Sequence, residues 1–499
     1  MRDSVHFLLD HRPVTLEFGP GSEWRPTTTL LQYLRTFPEH RGVKEGCAEG
    51  DCGACTVVLA EPRAAGGLSY RAVDSCLVFL PFLDRKQLIT IEGLKAPDGS
   101  LHPVQTALIR HYGSQCGFCT PGIVMSLFAL HKRYESPGRP AGDAVTRSAA
   151  IDALAGNLCR CTGYRPIVDA ALEVCAQPVA DHFSGNEKEV CGKLSAITRE
   201  DLLIQSDGQR YFRPVSLSSA LSYRNDHPDA LIINGATDVA LRVTKQHEIL
   251  PSILDLSGID ELKFWTRTAR GLESGAGTTI QDLLEASAEQ FPALAQMLQV
   301  FGSRQIRNVA TLGGNIGTAS PIGDTLPVLM ALRAEIHLRS IRATRSVPID
   351  EFFTGYRSTA CKPDELITGA KIPDVPAATL VRSYKVSRRH DLDISSVSAG
   401  FRIALNSRGA VDDILLAYGG MAATPSRAKK TESSLRGKPW TRDAVESAMG
   451  MIESDFTPLT DVRGSAEYRL IVARNLLLKF WDETAHLPAT AAEAKAGVA

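Results

Sequence analysis

Residues 46–55 read Gly-Cys-Ala-Glu-Gly-Asp-Cys-Gly-Ala-Cys, and a fourth cysteine, Cys76, follows further along the chain. The spacing Cys47-x4-Cys52-x2-Cys55 is one by which thiolates hold a [2Fe–2S] cluster. Glycines interleave with the cysteines, as a backbone that wraps closely around an inorganic core requires. A zinc ribbon also holds its metal with cysteine pairs, but it rarely uses a run of three. The sequence therefore favours a [2Fe–2S] site in which these four cysteines are the ligands.

A second group of four cysteines lies between residues 116 and 161. Cys116-Gly-Phe-Cys119 could by itself be a redox-active dithiol at the start of a helix. The pair Cys159-Arg-Cys161 changes this interpretation, because two cysteines so close together on a glycine-flanked turn can face one metal core. We therefore predict a second metal site with these four ligands. The remaining cysteines are interpreted as packing residues: Cys175, Cys191 and Cys361.

Size and composition exclude several classes of protein. The chain has 499 residues, 44% hydrophobic and 22% charged, which predicts several soluble globular domains. Lys plus Arg number 55 against 56 for Asp plus Glu, so neither a nucleic-acid tract nor a basic membrane-binding face is expected. The apolar run 122–130 is too short for a membrane span. An odd number of cysteines, 11, and no signal peptide at the N-terminus together indicate a cytoplasmic location.

Alternation and helical periodicity give a coarse secondary structure. The alternating residues 5–18 predict a β-hairpin, and Thr28 or Thr29 is expected to cap a helix after it. Residues 179–209 are polar and lack periodicity, which predicts a linker. Short strands are expected at Thr56–Leu59, Leu68–Val73, Leu88–Ile91, Ala399–Leu405 and Asp413–Tyr418. Helices are expected at Pro103–His111, Gly122–Tyr134, Ala144–Leu154, Pro166–Cys175 and Ala466–Trp481, the first four as a four-helix bundle.

Two glycine-rich segments follow apolar stretches in the second half of the chain. Residues 231–239 read Leu-Ile-Ile-Asn-Gly-Ala-Thr-Asp-Val, and residues 311–324 form a predicted loop rich in glycine and hydroxyl side chains. Such segments can bring backbone N–H groups and hydroxyls to a pyrophosphate, although two ordinary surface turns would have the same composition. No Gly-x-Gly-x-x-Gly follows a strand, which disfavours a Rossmann domain.

Two longer motifs carry a resemblance to a known family. Gly-Ser-Gln-Cys-Gly-Phe-Cys-Thr-Pro-Gly at 113–122 and Gly-Asn-Leu-Cys-Arg-Cys-Thr-Gly-Tyr-Arg-Pro-Ile at 156–167 resemble the xanthine dehydrogenase/aldehyde oxidase family. In that family the helical domain holds the cluster nearest to a molybdenum–pterin cofactor. The resemblance implies that Gln115 reaches the pterin, where otherwise its amide would cap a helix start.

The glycine-rich segments are similar to the FAD domain of the same family. The resemblance implies that the turn at 234–238 and the loop at 311–320 hold the FAD diphosphate. It further implies that Phe301 stacks near the isoalloxazine ring and Lys385 lies over the flavin, both as catalytic residues. Asn234, where relatives have a smaller residue, and His390 depart from the pattern. The implied cofactor-binding set is Leu231, Ile232, Ile233, Asn234, Gly235, Ala236, Thr237, Asp238, Phe301, Thr311, Gly314, Asn315, Thr318, Ser320, Asp324 and Lys385, with Gln115 for the pterin.

The resemblance implies a multidomain α+β fold. Its parts are a β-grasp, plant-ferredoxin-like [2Fe–2S] domain (1–92), a four-helix-bundle [2Fe–2S] domain (93–178), the linker (179–209), an FAD domain of the vanillyl-alcohol-oxidase type (210–380), an α+β flavoprotein C-terminal domain (381–484) and a disordered tail (485–499).

The implied function is electron transfer. The chain resembles the small subunit of a split bacterial member of the family, which needs a molybdenum-binding large subunit, with two copies of each chain. Electrons from hypoxanthine or xanthine oxidation would pass through two [2Fe–2S] clusters to FAD and then to NAD⁺. Alternatives are the same subunit of an aldehyde, nicotinate or carbon monoxide hydroxylase, or a stand-alone iron–sulfur flavoprotein; oxygen as acceptor also stays open.

Overall fold

The computed structural model describes residues 1–19, 21–135, 145–176 and 180–485. The chain divides into two compact units, and neither of them is one continuous stretch of sequence. Unit 1 contains residues 1–220, 229–259 and 302–310, and unit 2 contains residues 221–228, 260–301 and those from 311 onward. The predicted domain boundaries stay a proposal, and the two units divide residues 210–380 between them.

Unit 1 begins with a five-stranded sheet in the order β2-β1-β5-β3-β4. The predicted hairpin is confirmed, because β1 and β2 pair antiparallel on either side of a turn at Asp10, where φ is +52°. β5 pairs parallel to β1 and antiparallel to β3, as in a β-grasp fold. The hydroxyl of Thr29 caps α1. The elements are β1 Ser4–Leu9, β2 Arg12–Glu17, α1 Leu30–Thr36, β3 Thr56–Pro62, β4 Leu68–Asp74 and β5 Gln87–Ile89.

The four helices predicted in the next stretch are confirmed. They are α2 Pro103–Arg110, α3 Thr120–Glu135, α4 Arg147–Leu154 and α5 Arg165–Ala176. α2 packs on α5, and α3 packs on α4, on α5 and on strand β3 of the sheet. α3 is buried on nearly all sides, including Gly122 and Ser126, because it lies between the sheet and the other helices. The predicted start of the third helix at Ala144 lies outside the described residues.

In the predicted linker, 179–209, the described residues contain regular structure that the sequence did not indicate. This stretch contains helix α6, His182–Ala196, and strand β6, Leu202–Ser206. Only Phe183, Val190 and Leu194 of α6 are buried, so its apolar stripe is too narrow to stand out in the sequence. β6 continues a four-stranded sheet in the order β6-β7-β9-β8. The other elements here are β7 Gln209–Arg213, α7 Leu217–Asp226, β8 Leu231–Ile233, α8 Ala240–Thr244 and β9 Ser252–Asp255.

Unit 2 contains a second five-stranded sheet, in the order β10-β11-β16-β12-β13, with helices and a small hairpin, β14-β15. Helix α11 falls in the chain between two segments of unit 2, but it belongs to unit 1. The elements in chain order are β10 Trp265–Thr268, β11 Gly271–Gly275, α9 Ile280–Ser287, α10 Pro292–Gln299, α11 Arg304–Arg307, α12 Leu312–Thr318, α13 Thr325–Ala331, β12 Glu335–Arg339, β13 Thr344–Pro348, α14 Ile349–Phe352, β14 Phe353–Gly355, β15 Ser358–Thr359 and β16 Leu366–Pro373.

The C-terminal part of unit 2 is a four-stranded antiparallel sheet, β17-β18-β19-β20, covered by helices. In its core the ring of Phe401 packs against the rings of Tyr418 and Phe480. The strands and the long helix predicted here are confirmed. They are β17 Thr379–Val386, β18 Val397–Leu405, β19 Val411–Gly419, β20 Ser426–Arg427, α15 Lys429–Leu435, α16 Arg442–Met449, α17 Ile452–Asp455 and α18 Ala466–Thr484.

The multidomain α+β class predicted from the sequence is confirmed by these sheets and helices. Among the described residues, none of the helices has the length and apolar character needed to cross a bilayer. The predicted disordered tail, apart from Ala485, lies outside the described residues.

Candidate functional site

The first four cysteines converge at one end of the N-terminal sheet. Cys47 and Cys52 lie in the loop before β3, Cys55 directly precedes that strand, and Cys76 lies in a short 3₁₀ turn after β4. Hydrogen bonds from Cys52 and Cys76 hold the pKa of the Cys47 thiol well below its usual value. Cys55 in turn hydrogen-bonds Cys76. Four sulfur donors within mutual reach are the donor set that a [2Fe–2S] cluster requires.

The loop around these cysteines has the backbone geometry of a cluster cradle. The N–H groups of Glu49 and Asp51 donate to Cys47 Sγ at 3.4 and 3.3 Å. Gly50 and Gly53 have φ of +77° and +64°, in the left-handed region that favours glycine. These N–H groups point at sulfur, which is how a protein stabilises a reduced cluster. The residues present therefore fit a [2Fe–2S] cluster.

The second group of cysteines also converges, within unit 1. Cys116 hydrogen-bonds Cys161, and Cys119 hydrogen-bonds Cys159. Burial and the bond to Cys159 raise the pKa of Cys119 to about 12. The turn after Cys159 is fixed locally, since the Tyr164 hydroxyl accepts from the Cys159 N–H at 2.6 Å. These four sulfurs likewise fit a cluster.

The second group lies at the protein surface, unlike Cys55 and Cys76 of the first. Cys116, Cys161 and the neighbouring Gln115 are exposed. Several large apolar side chains in the segments that carry or flank these cysteines are also exposed: Ile109 64%, Tyr112 84%, Phe118 50%, Leu158 40% and Tyr164 36%. An apolar surface around an exposed metal site is typical of a surface that another protein covers.

A main-chain hydrogen bond joins the two groups directly. The N–H of Leu158 donates to the carbonyl of Cys52 at 3.0 Å. Because Leu158 precedes Cys159, a ligand segment of one group is bonded to a ligand segment of the other.

The first glycine-rich segment is a strand followed by a tight turn. Residues 231–233 form β8, and the turn at 234–238 leads into α8. Gly235 and Ala236 have φ of +88° and +60°, whereas Asn234 is not left-handed. A Cβ on Gly235 would lie 2.1 Å from the carbonyl oxygen of Val309, so this turn needs a glycine. All eight predicted residues of this segment therefore lie together on one strand and turn of unit 1.

The second glycine-rich segment, expected to be a loop, is helix α12. Its hydroxyl cap, Thr311, accepts from Gly314 N–H at 3.1 Å. The N–H groups of Leu312 and Gly313 donate to the carbonyls of Thr278 and Ala276. Gly313 has to be a glycine, because a Cβ at this position would lie 2.6 Å from Ala276 Cβ. Since these first N–H groups are already used within unit 2, a diphosphate bound here would have to use other groups.

Two of the residues predicted at the flavin, Lys385 and Asp324, meet in unit 2. Lys385 Nζ donates to Asp324 Oδ2 at 2.7 Å and to the carbonyl of Val300 at 2.9 Å, next to Phe301. Asp324 also accepts from the hydroxyl of Ser395 at 2.5 Å. The Lys385 and Asp324 side chains are only 5% and 9% exposed. A buried lysine held this firmly presents its charge in a fixed position.

The other predicted residues of unit 2 lie close to Asp324 in the sequence. Asn315 bonds Thr325 across the start of α13, and the Thr318 hydroxyl donates to the Gly314 carbonyl. Ser320 follows the left-handed Ala319 that ends α12. His390 is 82% exposed and lies 3.1 Å from Asp391.

Sequence reasoning missed two side chains at the first cysteine group. Asp74 is fully buried at the end of β4, with Cys55 Sγ 3.9 Å from its Oδ1, and burial raises its pKa well above the usual value. Lys245, after α8, donates to the carbonyl of Cys47 at 3.1 Å. Neither carries a local signal, because both contacts join residues far apart in the sequence. The three cysteines interpreted as packing residues lie outside both groups.

A buried group of His102, His131 and Asp181 in unit 1 brings three possible metal ligands together. His102 Nδ1 accepts from the Val104 N–H, which caps α2, so its Nε2 carries the proton and donates to Asp181 at 2.8 Å. Lys132 Nζ lies 3.0 Å from the other oxygen of Asp181. His102 thus has no lone pair for a cation, and His102 and Asp181 instead cap the starts of α2 and α6.

Three stretches of the chain match known domain families. Residues 90–172 match the [2Fe-2S] binding domain, residues 205–375 match the FAD binding domain in molybdopterin dehydrogenase, and residues 382–484 match the CO dehydrogenase flavoprotein C-terminal domain. Together with the cysteine geometry, these matches define the class: a chain with iron–sulfur and FAD-binding domains.

Similarity to whole proteins gives the family. The chain is 34% identical to a xanthine dehydrogenase of Emericella nidulans over 96% of its own length and 38% of the relative's. It is 32% identical to xanthine dehydrogenase 1 of Arabidopsis thaliana, over 92% of this chain and 38% of the relative. The carbon monoxide dehydrogenase of Hydrogenophaga pseudoflava is 25% identical, covering 54% of this chain and 94% of that one, with a TM-score of 0.51. The chain belongs to the xanthine dehydrogenase/CO dehydrogenase family, as its motifs indicate, and spans 38% of the length of these two curated relatives.

Proposed function

We propose that the chain carries electrons from a molybdenum site on a partner chain, through two [2Fe–2S] clusters, to FAD and then to NAD⁺. The substrate side of this proposal is the oxidation of hypoxanthine and xanthine toward urate. The observation that carries it is the pair of four-cysteine groups in unit 1, joined by the hydrogen bond from Leu158 to Cys52. Similarity to xanthine dehydrogenases over 96% of the chain supports the purine substrate.

The chemistry of these groups suits the proposed order. Clusters accept one electron at a time, whereas a flavin can take electrons singly and release a pair as a hydride. In each turnover the purine loses two electrons, water supplies the oxygen atom, and NAD⁺ takes up the hydride. The chain's own residues supply positions and charges: eight cysteine ligands, the N–H groups aimed at Cys47, and the buried ammonium of Lys385.

The exposed apolar side chains around the second group support a partner on this surface. A cluster held by Cys116, Cys119, Cys159 and Cys161 would be open to water unless another chain covered it. We propose that the molybdenum-binding chain covers it, with Gln115 toward the pterin. Tyr112→Glu should then weaken co-purification of the two chains, with Tyr356→Glu, a comparably exposed site in unit 2, as the matched control. Equal co-purification of both variants would contradict this surface.

The cluster assignment is tested by electron paramagnetic resonance of the reduced protein. We expect Cys52→Ser to abolish one of two distinct [2Fe–2S] signals and to lower the iron content. Cys191→Ser is the control, because Cys191 lies on α6, outside the segments that carry the eight cysteines, and its loss should leave both signals. Two undiminished signals in Cys52→Ser would refute the assignment.

The acceptor end is tested by separating two half-reactions. Lys385 and Phe301 are proposed to act where the flavin meets NAD⁺. Lys385→Met and Phe301→Ala should therefore slow NAD⁺ reduction more than reduction of the clusters by the purine. Equal losses in both assays would place these residues elsewhere, and rapid turnover with oxygen but not NAD⁺ would change the acceptor.

A second candidate is the same electron-transfer role with another substrate. The match to carbon monoxide dehydrogenase over 94% of that chain favours it, because substrate chemistry would lie on the partner chain. Purified complex should be assayed with xanthine, an aldehyde, nicotinate and carbon monoxide under the same conditions. Reduction of the clusters by xanthine alone supports the first proposal, and reduction by one of the others supports the second.

A further inference from the structure

A directional chain of hydrogen bonds runs through the interior of unit 1. Gln305 Nε2 donates to Ser126 Oγ at 2.9 Å and to Asn157 Oδ1 at 2.8 Å, and Ser126 Oγ also donates to Asn157 Oδ1. Asn157 Nδ2 donates to Thr56 Oγ1 at 3.1 Å and to the carbonyl of Gly53 at 3.0 Å. Thr56 Oγ1 donates to the same carbonyl at 2.7 Å. These five residues are called the Asn157 network.

The network ends at the ligand segments of both cysteine groups. Gly53 lies between Cys52 and Cys55, and Asn157 lies just before Leu158 and Cys159. The Leu158 N–H bonds the Cys52 carbonyl at 3.0 Å directly beside the network. None of the network residues is a cysteine, so its role toward the clusters is to hold their ligand segments against each other.

Three glycines let the segments approach closely enough for these bonds. A Cβ on Gly53 would lie 2.1 Å from the carbonyl oxygen of Gly156, and one on Gly122 would lie 2.2 Å from that of Gly53. A Cβ on Gly156 would lie 2.1 Å from Gln305 Oε1. Backbone contacts this close fix the separation of the segments, because interiors are packed without slack.

Gln305 is itself fixed by its neighbours on α11. Arg304 donates to Asp152 of α4 at 2.7 Å, and Arg307 pairs with the other oxygen of Asp152. Asn308 Nδ2 donates to the carbonyl of Ala72 on β4 at 2.8 Å. The helix is therefore anchored to α4 and to the N-terminal sheet, on either side of Gln305.

We propose that Gln305, Ser126, Asn157 and Thr56 are positioning residues that set the rate of electron exchange between the two clusters. This rests on the proposed function, since it requires clusters at both cysteine groups. The side chains are 1–3% exposed and their donors have partners, and a buried network of this kind holds one arrangement. Residues that support a reacting group must hold it to within about 0.5 Å, which a mobile surface contact cannot do.

The test uses the full chain purified with its clusters and compares isosteric variants. Thr56→Val keeps the shape of the side chain and removes its hydroxyl, and Thr56→Ser, the matched control, keeps the hydroxyl. Gln305→Met removes both amide donors at nearly constant volume, at a position remote in sequence from every cysteine. Three readouts are taken: iron content, the magnetic splitting between the two reduced clusters, and the rate at which an electron introduced at one cluster reaches the other.

We expect Thr56→Val and Gln305→Met to keep the iron content of the wild type but to change the splitting. They should slow electron exchange several-fold, because the rate of electron transfer between two centres depends on their separation and orientation. Thr56→Ser should behave as the wild type.

Two results would overturn the inference. One is an unchanged splitting and rate in both variants. The other is loss of one cluster from both, which would make the network a requirement for cluster assembly. If the wild type itself showed only one cluster, the proposed function would fail instead, independently of the network.

Discussion

Removing the charge of Lys385 tests the buried ion pair that it forms with Asp324 at the proposed flavin site. Lys385→Met keeps the length and apolar stem of the side chain but removes the ammonium. Asp324, 9% exposed, would then keep only the hydroxyl of Ser395, and the carbonyl of Val300 would lose its donor. The variant therefore leaves a carboxylate buried without its counter-charge.

The expected cost follows from the burial of both partners. Breaking a buried ion pair by removing one side costs about 3–5 kcal/mol in the free energy of unfolding. Asp324→Asn should lower the free energy of unfolding by a similar amount, because it leaves the ammonium of Lys385 buried without its carboxylate. The loss of unfolding free energy in the double variant should be smaller than the sum of the two single losses by roughly 2 kcal/mol, because the double variant leaves no unpaired buried charge at this position.

The matched control is the same substitution at an exposed lysine of unit 2. Lys479 is 57% exposed and pairs with Glu483 one helical turn away, so Lys479→Met should cost only about 0.3–0.5 kcal/mol. Urea unfolding is followed by the fluorescence of released flavin and by circular dichroism. If Lys385→Met were no more destabilising than Lys479→Met, the buried ion pair between Lys385 and Asp324 would be refuted.

Three further predictions concern unit 1. Gly122→Ala should lower the free energy of unfolding by about 1–3 kcal/mol and reduce the iron content, because its Cβ would meet the carbonyl of Gly53 at 2.2 Å. Gly185→Ala is the control and should be tolerated, because a Cβ on Gly185 would have open space around it. Asp152→Ala should lower the free energy of unfolding by about 3–5 kcal/mol, measured by thermal unfolding, because it removes the carboxylate that pairs with the buried Arg307; a loss below 1 kcal/mol would contradict the pair. Burial lowers the pKa of His131 below its ordinary value of 6.5, so protonation of the unfolded chain destabilises the folded protein as the pH falls below 6.5. The melting temperature of His131→Leu should therefore fall less between pH 7 and pH 5.5 than that of the wild type. Parallel plots of melting temperature against pH would contradict this.

Local patterns predicted the parts of the fold that local interactions determine. The hairpin turns at Asp10, α1 begins at its Thr29 cap, and the spacing of the cysteines already indicates which of them share a site. Each of these features involves residues near one another in the sequence, so periodicity and spacing are sufficient to find it.

The errors arose where tertiary contacts outweigh local propensity. α6 exposes most of its surface, and its few buried residues gave too weak a pattern. α12 contains several glycines, which disfavour a helix, yet it forms because Leu312 and Gly313 bond the segment at 276–278. The contacts of Gln305 with Asn157 join residues 148 apart, and no local feature of either residue indicates the other.

The interleaving of the two units limits how the chain can be cut. A fragment ending at residue 209 would keep Leu202 and Ile204 but lose Tyr211, Ile253 and Val309, which share their apolar core. It would also lose Gln305 and the helix that carries it. A miniature electron carrier made from the iron–sulfur half would therefore aggregate unless residues 210–220, 229–259 and 302–310 were grafted back onto it.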